Sequence, residues 1–136
     1  MSSSEPDLSE TSRILLKKAE EDATAVREFA GNQEIADSII GFHAQQAVEK
    51  WLKAVTAANG TRHSTIHDID RLVEIVEGAG IEVPLDRDRL AVLTQYAVPL
   101  RYDELLDSES LDREVLVALV DEVAEWVAVQ FGPRGD

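Results

Sequence analysis

Residues 41–53 read Gly41-Phe-His-Ala-Gln-Gln-Ala-Val-Glu-Lys-Trp-Leu-Lys53, and the fold follows from how that string winds. At about 100° per residue, Ile40, Ala44, Ala47, Val48, Trp51, Ala54, Val55 and Ala58 fall on one broad apolar stripe. Such a stripe marks a helix with its core side turned inward. On the far side Phe42, Gln46, Glu49 and Lys53 line up at spacings of four, three and four, flanked by His43 and Lys50. A row facing only solvent needs no phenylalanine and rarely carries two adjacent glutamines. Three readings of this face stay open: a solvated surface with Glu49 and Lys53 as an ordinary i,i+4 pair, a partner surface formed by Phe42, Gln46 and Glu49, or a ligand face.

The rest of the chain is helical in the same way. A first helix starts near Asp7, where Asp7 and Glu10 are spaced as a capping box, and stops near Gly31-Asn32. The second is expected from about Glu34 to Ala58, closed by Asn59-Gly60. A polar loop with Thr65 as candidate N-cap leads into a short third helix ending at Gly78. Asp86 can cap a fourth, through Leu90, Leu93 and Ala97. An acidic stretch from Pro99 to Ser110 precedes a final helix from about Leu111 to Phe131. No run alternates as a strand does. The expected fold is therefore all-α, an up-and-down bundle of four to five helices. Residues 1–7 are expected to form a disordered leader, 8–132 a single domain and 133–136 a tail. The last helix is apolar over more than half its circumference. It therefore either sits centrally or packs on a second subunit, and its composition favours a homodimer.

Composition narrows the function. The chain has 136 residues, 27 acids against 13 bases and a net charge of −14. That repels phosphate backbones, so RNA contact would need a local basic patch. Arg101, Tyr102, Lys50 and Lys53 are the candidates. Arg101 offers a charged fork suited to phosphate and Tyr102 a hydroxyl with a stacking face; the alternative is that Arg101 pairs with Asp103 or Glu104. With no cysteine there is no disulfide, thiolate nucleophile or cysteine metal site, which suits a cytoplasmic protein, and no run is apolar enough to span a membrane. His63, His67 and Asp68 have weak metal-ligand spacing, better explained by helix capping. Neither metal nor cofactor is expected.

Several strings together resemble the HEPN family of small helical domains. They are the leader Leu15-Leu-Lys-Lys-Ala-Glu-Glu-Asp22, the string Phe42-His-Ala-Gln-Gln-Ala-Val-Glu-Lys50, Leu52-Lys-Ala54, His67-Asp-Ile69 and Arg101-Tyr102. The resemblance spans residues 8 to 131 and implies a helical bundle, usually a homodimer. Many members pair with a minimal nucleotidyltransferase as toxin and antitoxin. Active members resemble metal-independent ribonucleases that use an Arg-x(4–6)-His motif near the final helices, with histidine as acid or base and arginine stabilising phosphate charge. At that spacing after Arg101 stand Leu106, Asp107 and Ser108, and no histidine follows in the chain. Arg62 and His67 satisfy the spacing but lie between the second and third helices. The resemblance therefore implies first an interaction partner of a nucleotidyltransferase that binds nucleotide or RNA near Arg101. The alternative is a ribonuclease in which folding brings a histidine, His43 before His67, to Arg101.

Overall fold

A computed structural model of the protein describes residues 8–61, 65–97 and 111–132. Among them are five α-helices and one 3-10 turn, with no strand: α1 (Leu8–Phe29), α2 (Asp37–Ala58), α3 (Ile69–Gly78), α4 (Arg87–Leu93) continuing into the turn Thr94–Tyr96, and α5 (Arg113–Phe131). Asp7, assigned to a capping box by its spacing, lies outside the described residues, as do the leader and tail.

α1 and α2 pack antiparallel. Near one end the buried Ser12 hydroxyl donates to the Ala54 carbonyl at 2.9 Å, and near the other the Phe29 and His43 rings meet edge to face with centroids 5.9 Å apart. α5 also runs against α1, since Arg27 reaches Asp121 at 3.0 Å while Leu16 lies beside Phe131. It follows that α2 and α5 point the same way, and the short α3 and α4 make the return between them. The core gathers Ala19, Ala23 and Val26 of α1, Leu72 and Val76 of α3, Leu90 and Leu93 of α4, and Leu119, Val123 and Val127 of α5 around Trp51, Leu52 and Val55 of α2.

The central helix is thus α2, which packs against α1, α3, α4 and α5. Fourteen of its 22 residues are buried, and they lie on every side. Glu49 is 5 % exposed and Lys53 8 %, so the C-terminal half of the row read from the sequence as an outward face is turned inward here. Only Phe42, His43, Gln46 and Lys50 keep partial exposure along the string. α5 is not central: its buried face carries Leu116, Leu119, Val120, Val123, Trp126 and Val127, while Val115 and Val129 remain exposed.

Boundaries differ from the expectation for local reasons. α2 begins at Asp37 rather than Glu34, because the Asn32 side-chain oxygen accepts from the Glu34 N–H at 2.9 Å and holds residues 32–35 in a turn. That turn is clamped by Arg113. Its Nε donates to Asp37 at 2.9 Å, and its other nitrogens reach the carbonyls of Ala30, Asn32 and Ile35 at 3.2, 2.9 and 2.6 Å. The orphan carbonyls after α1 are satisfied by a side chain 80 or so residues away. α3 is capped by Asp68, which accepts from the Asp70 and Arg71 N–H groups, and not by Thr65. Asp86 caps α4 as its position suggested.

Gly41 has a packing role. A Cβ added there would lie 2.6 Å from two ring carbons of Tyr96, so the absence of a side chain lets the turn after α4 lie flat on α2. In a helix, alanine is otherwise favoured over glycine by about 1 kcal/mol, whereas overpacking costs about 1–3 kcal/mol. Gly41→Ala is therefore expected to lose about 1–2 kcal/mol in urea unfolding, and to be neutral or stabilising when Tyr96→Ala is also present. Stabilisation of the otherwise wild-type chain by Gly41→Ala would show that the ring does not press on this helix.

Candidate functional site

The polar residues of the 41–53 string form two networks. In the first, Gln45, Glu49 and Lys53 follow one another at i,i+4 spacing on the α2 row that faces the start of α3. Gln45 Nε2 donates to Glu49 Oε1 at 2.7 Å, and Lys53 Nζ donates to Oε2 at 2.8 Å. His67, just before α3, brings Nδ1 to the same Oε2 at 3.0 Å. Gln46 Nε2 donates to Gln45 Oε1 at 2.7 Å, which accounts for the adjacent glutamines: one orients the other toward the carboxylate. Burial by itself would raise the Glu49 pKa. The hydrogen bonds from Lys53, His67 and Gln45, with the Lys53 charge, outweigh it and hold the carboxyl below its ordinary value of 4.5.

The second network joins α1 to α2 through Asp22. Its Oδ1 faces His43 Nδ1 at 2.9 Å and its Oδ2 accepts from Lys50 Nζ at 2.5 Å. The His43 ring is wedged between Phe29 and Phe42, both edge to face, with centroids at 5.9 and 5.6 Å. All three polar groups are partly open to solvent. With Nδ1 committed to Asp22, His43 keeps Nε2 as the nitrogen able to exchange a proton. This is the orientation an acid–base histidine needs. Asp22 sits in the leader string Leu15–Asp22, yet nothing in its spacing links it to residues 21 and 28 positions later.

The structure thus divides the candidate residues. His43 and Lys50 meet at one carboxylate. Lys53 and Glu49 form an internal pair, so Lys53 presents almost no surface to a phosphate and Glu49 almost none to a partner. Phe42 and Gln46 stay partly exposed beside His43. His67 is tied to Glu49; among the described residues no three His, Asp or Glu side chains are grouped to hold a metal. Arg62, His63, Arg101 and Tyr102 lie outside the described residues. No helix among those described is long and apolar enough to cross a membrane.

A helical bundle whose second helix carries this string, with its polar residues bonded to α1 and to the start of α3, is the setting in which the family comparison falls. The HEPN domain model matches residues 12–130, and the chain belongs to the HEPN family. No significant match was found among curated proteins or among solved structures.

The lowered Glu49 pKa has a definite consequence for stability. A carboxyl that ionises more readily folded than unfolded stabilises the fold above the unfolded value, and that contribution is lost as pH falls through the folded value. Glu49→Gln removes the titration. The stability gap between wild type and Glu49→Gln, wide at neutral pH, should therefore narrow as pH drops below about 4.5. Urea midpoints measured for both proteins across that range test it; two parallel pH profiles would rule out a Glu49 contribution.

Proposed function

We propose that this HEPN domain acts as a homodimer and as the interaction partner of a nucleotidyltransferase, in a pair of the toxin–antitoxin type. Its nucleotide or RNA contact would centre on Arg101 and Tyr102. The observation that carries this reading over an enzymatic one is where the histidines are. None follows Arg101 in the sequence, and His67 holds Nδ1 against the buried Glu49 carboxylate, tying the start of α3 to α2. Lys50 and Lys53 are engaged by Asp22 and Glu49, so the basic contact narrows to Arg101. The apolar surface that α5 leaves at Val115 supports association through that helix.

A ribonuclease is the second reading, and one observation favours it: His43 is oriented by Asp22, partly exposed, and has Nε2 uncommitted to that carboxylate. Arg101 would then supply the charge that stabilises a developing phosphate oxyanion.

Light scattering of the purified chain at tens of micromolar should give twice the 15.0 kDa chain mass. Co-expression with a nucleotidyltransferase encoded beside it should yield a co-purifying complex. Mixed RNA should remain essentially uncleaved by wild type, His43→Ala and Arg101→Ala alike. A monomer that ignores the nucleotidyltransferase would refute the first reading, and robust cleavage abolished by both substitutions would establish the second.

A further inference from the structure

The loop between α3 and α4 and the last turns of α5 enclose an open trough of about 890 Å³ on the molecular surface. On α5 it is lined by Glu122, Glu125, Trp126, Val129 and Gln130, at i, i+3, i+4, i+7 and i+8, so one stripe of the helix faces one loop. The loop is fastened to that stripe. Trp126 Nε1 donates to the Glu82 carbonyl at 2.9 Å, and Gln130 Nε2 caps back onto the Trp126 carbonyl at 3.3 Å. One hydrogen bond, Trp126 to Glu82, therefore joins the two walls of the trough.

Its chemistry is two-sided. Ile81 and Leu85 from the loop and Val129 from α5 give it an apolar floor. Val129 is 75 % exposed, the most open of the large exposed hydrophobic side chains among the described residues. Around that floor stand three carboxylates, Glu82, Glu122 and Glu125, and among the described residues no cationic side chain lines the trough. Several acids elsewhere in the fold are paired, Asp70 and Glu77 to Arg87, Asp37 to Arg113, Asp121 and Glu20 to Arg27, Asp22 to Lys50 and Glu49 to Lys53, while others, such as Glu28 and Glu114, stand exposed. Among the described residues, none of the three trough carboxylates takes part in an ion pair. An apolar groove rimmed by unmatched charge of one sign selects a ligand with the opposite arrangement, an apolar stripe flanked by cations. The same rim repels nucleic acid and anionic lipid.

We propose that this trough is the docking site for a cationic amphipathic helix of a partner protein. Apolar side chains of that helix lie over Ile81, Leu85 and Val129, and its lysines or arginines meet Glu82, Glu122 and Glu125. The helix would lie along α5, where the stripe offers about two turns of contact. This site is separate from the His43–Asp22 cluster and holds whether or not the partner is a nucleotidyltransferase.

The test uses the full chain and a fluorescein-labelled synthetic peptide of about eighteen residues, Leu and Lys arranged as an amphipathic helix. Binding is read by anisotropy at low and moderate salt. The expected result is saturable binding that weakens with salt and falls by roughly tenfold in Glu122→Lys/Glu125→Lys. Val129→Ser should weaken it several-fold. The pair Glu28→Lys/Glu114→Lys changes net charge equally at exposed positions away from the trough, and should leave binding within about twofold of wild type. Equal losses in the two charge-reversed pairs would reduce the effect to non-specific attraction and overturn the proposal. So would a Val129→Ser chain that dissociates from dimer to monomer, since the trough would then be filled by a second copy.

Discussion

A carboxylate buried in the middle of a small bundle is tolerable only if its charge is answered on the spot, and Glu49 meets that condition from three directions. Desolvating an ion costs several kcal/mol even after relaxation. Lys53 one turn on, Gln45 one turn back and His67 from the start of α3 each bring a donor to it. The consequences spread outward. His67 can reach Glu49 only if the chain enters α3 at the place where Asp68 then caps it. Gln45 is presented correctly only with Gln46 behind it. One residue thereby fixes the register of α3 on α2 and the identity of four side chains.

This arrangement changes how the 41–53 string is understood. A row of polar and charged residues with helical spacing suggests chemistry, yet in this fold one part of the row is internal structure and the other binds α1. What is left near the surface is His43 with Asp22 and Lys50, beside Phe42. The candidate surfaces that remain among the described residues are that partly open cluster, the exposed apolar positions of α5, and the acidic trough at its C-terminal end. HEPN membership sets the fold and the setting for these features.

The helices were legible because periodicity survives in every segment: the ends of α2 at Asn59-Gly60, of α3 at Gly78 and of α5 near Phe131 all match their turn and breaker residues. The inward burial of Glu49 and Lys53 was not. A helix surrounded on all sides reads as amphipathic when its second buried face is polar, and only the three-dimensional partner, His67 eighteen residues on, shows that the face is satisfied internally. The same limit hid Arg113. As a lone arginine near the start of a helix it looks ordinary, although it clamps Asp37 and the carbonyls after α1. Gly41 was quoted within the string without a reason, since its need arises from Tyr96, fifty-five positions later. Among the functional candidates, the convergence of His43 and Lys50 was foreseeable as i,i+7 neighbours on one face, but the carboxylate that joins them was not.

The central claim is that Glu49 and Lys53 are a buried, mutually required pair around which the bundle is set. The direct measurement is the unfolding free energy of wild type, Glu49→Ala and Glu49→Met/Lys53→Met. Removing the carboxylate alone leaves the Lys53 ammonium buried without it and should cost about 3–5 kcal/mol. Replacing both charges by apolar side chains of similar reach should recover most of that loss. A single substitution that costs under about 1 kcal/mol, or a double variant no more stable than the single one, would contradict the account.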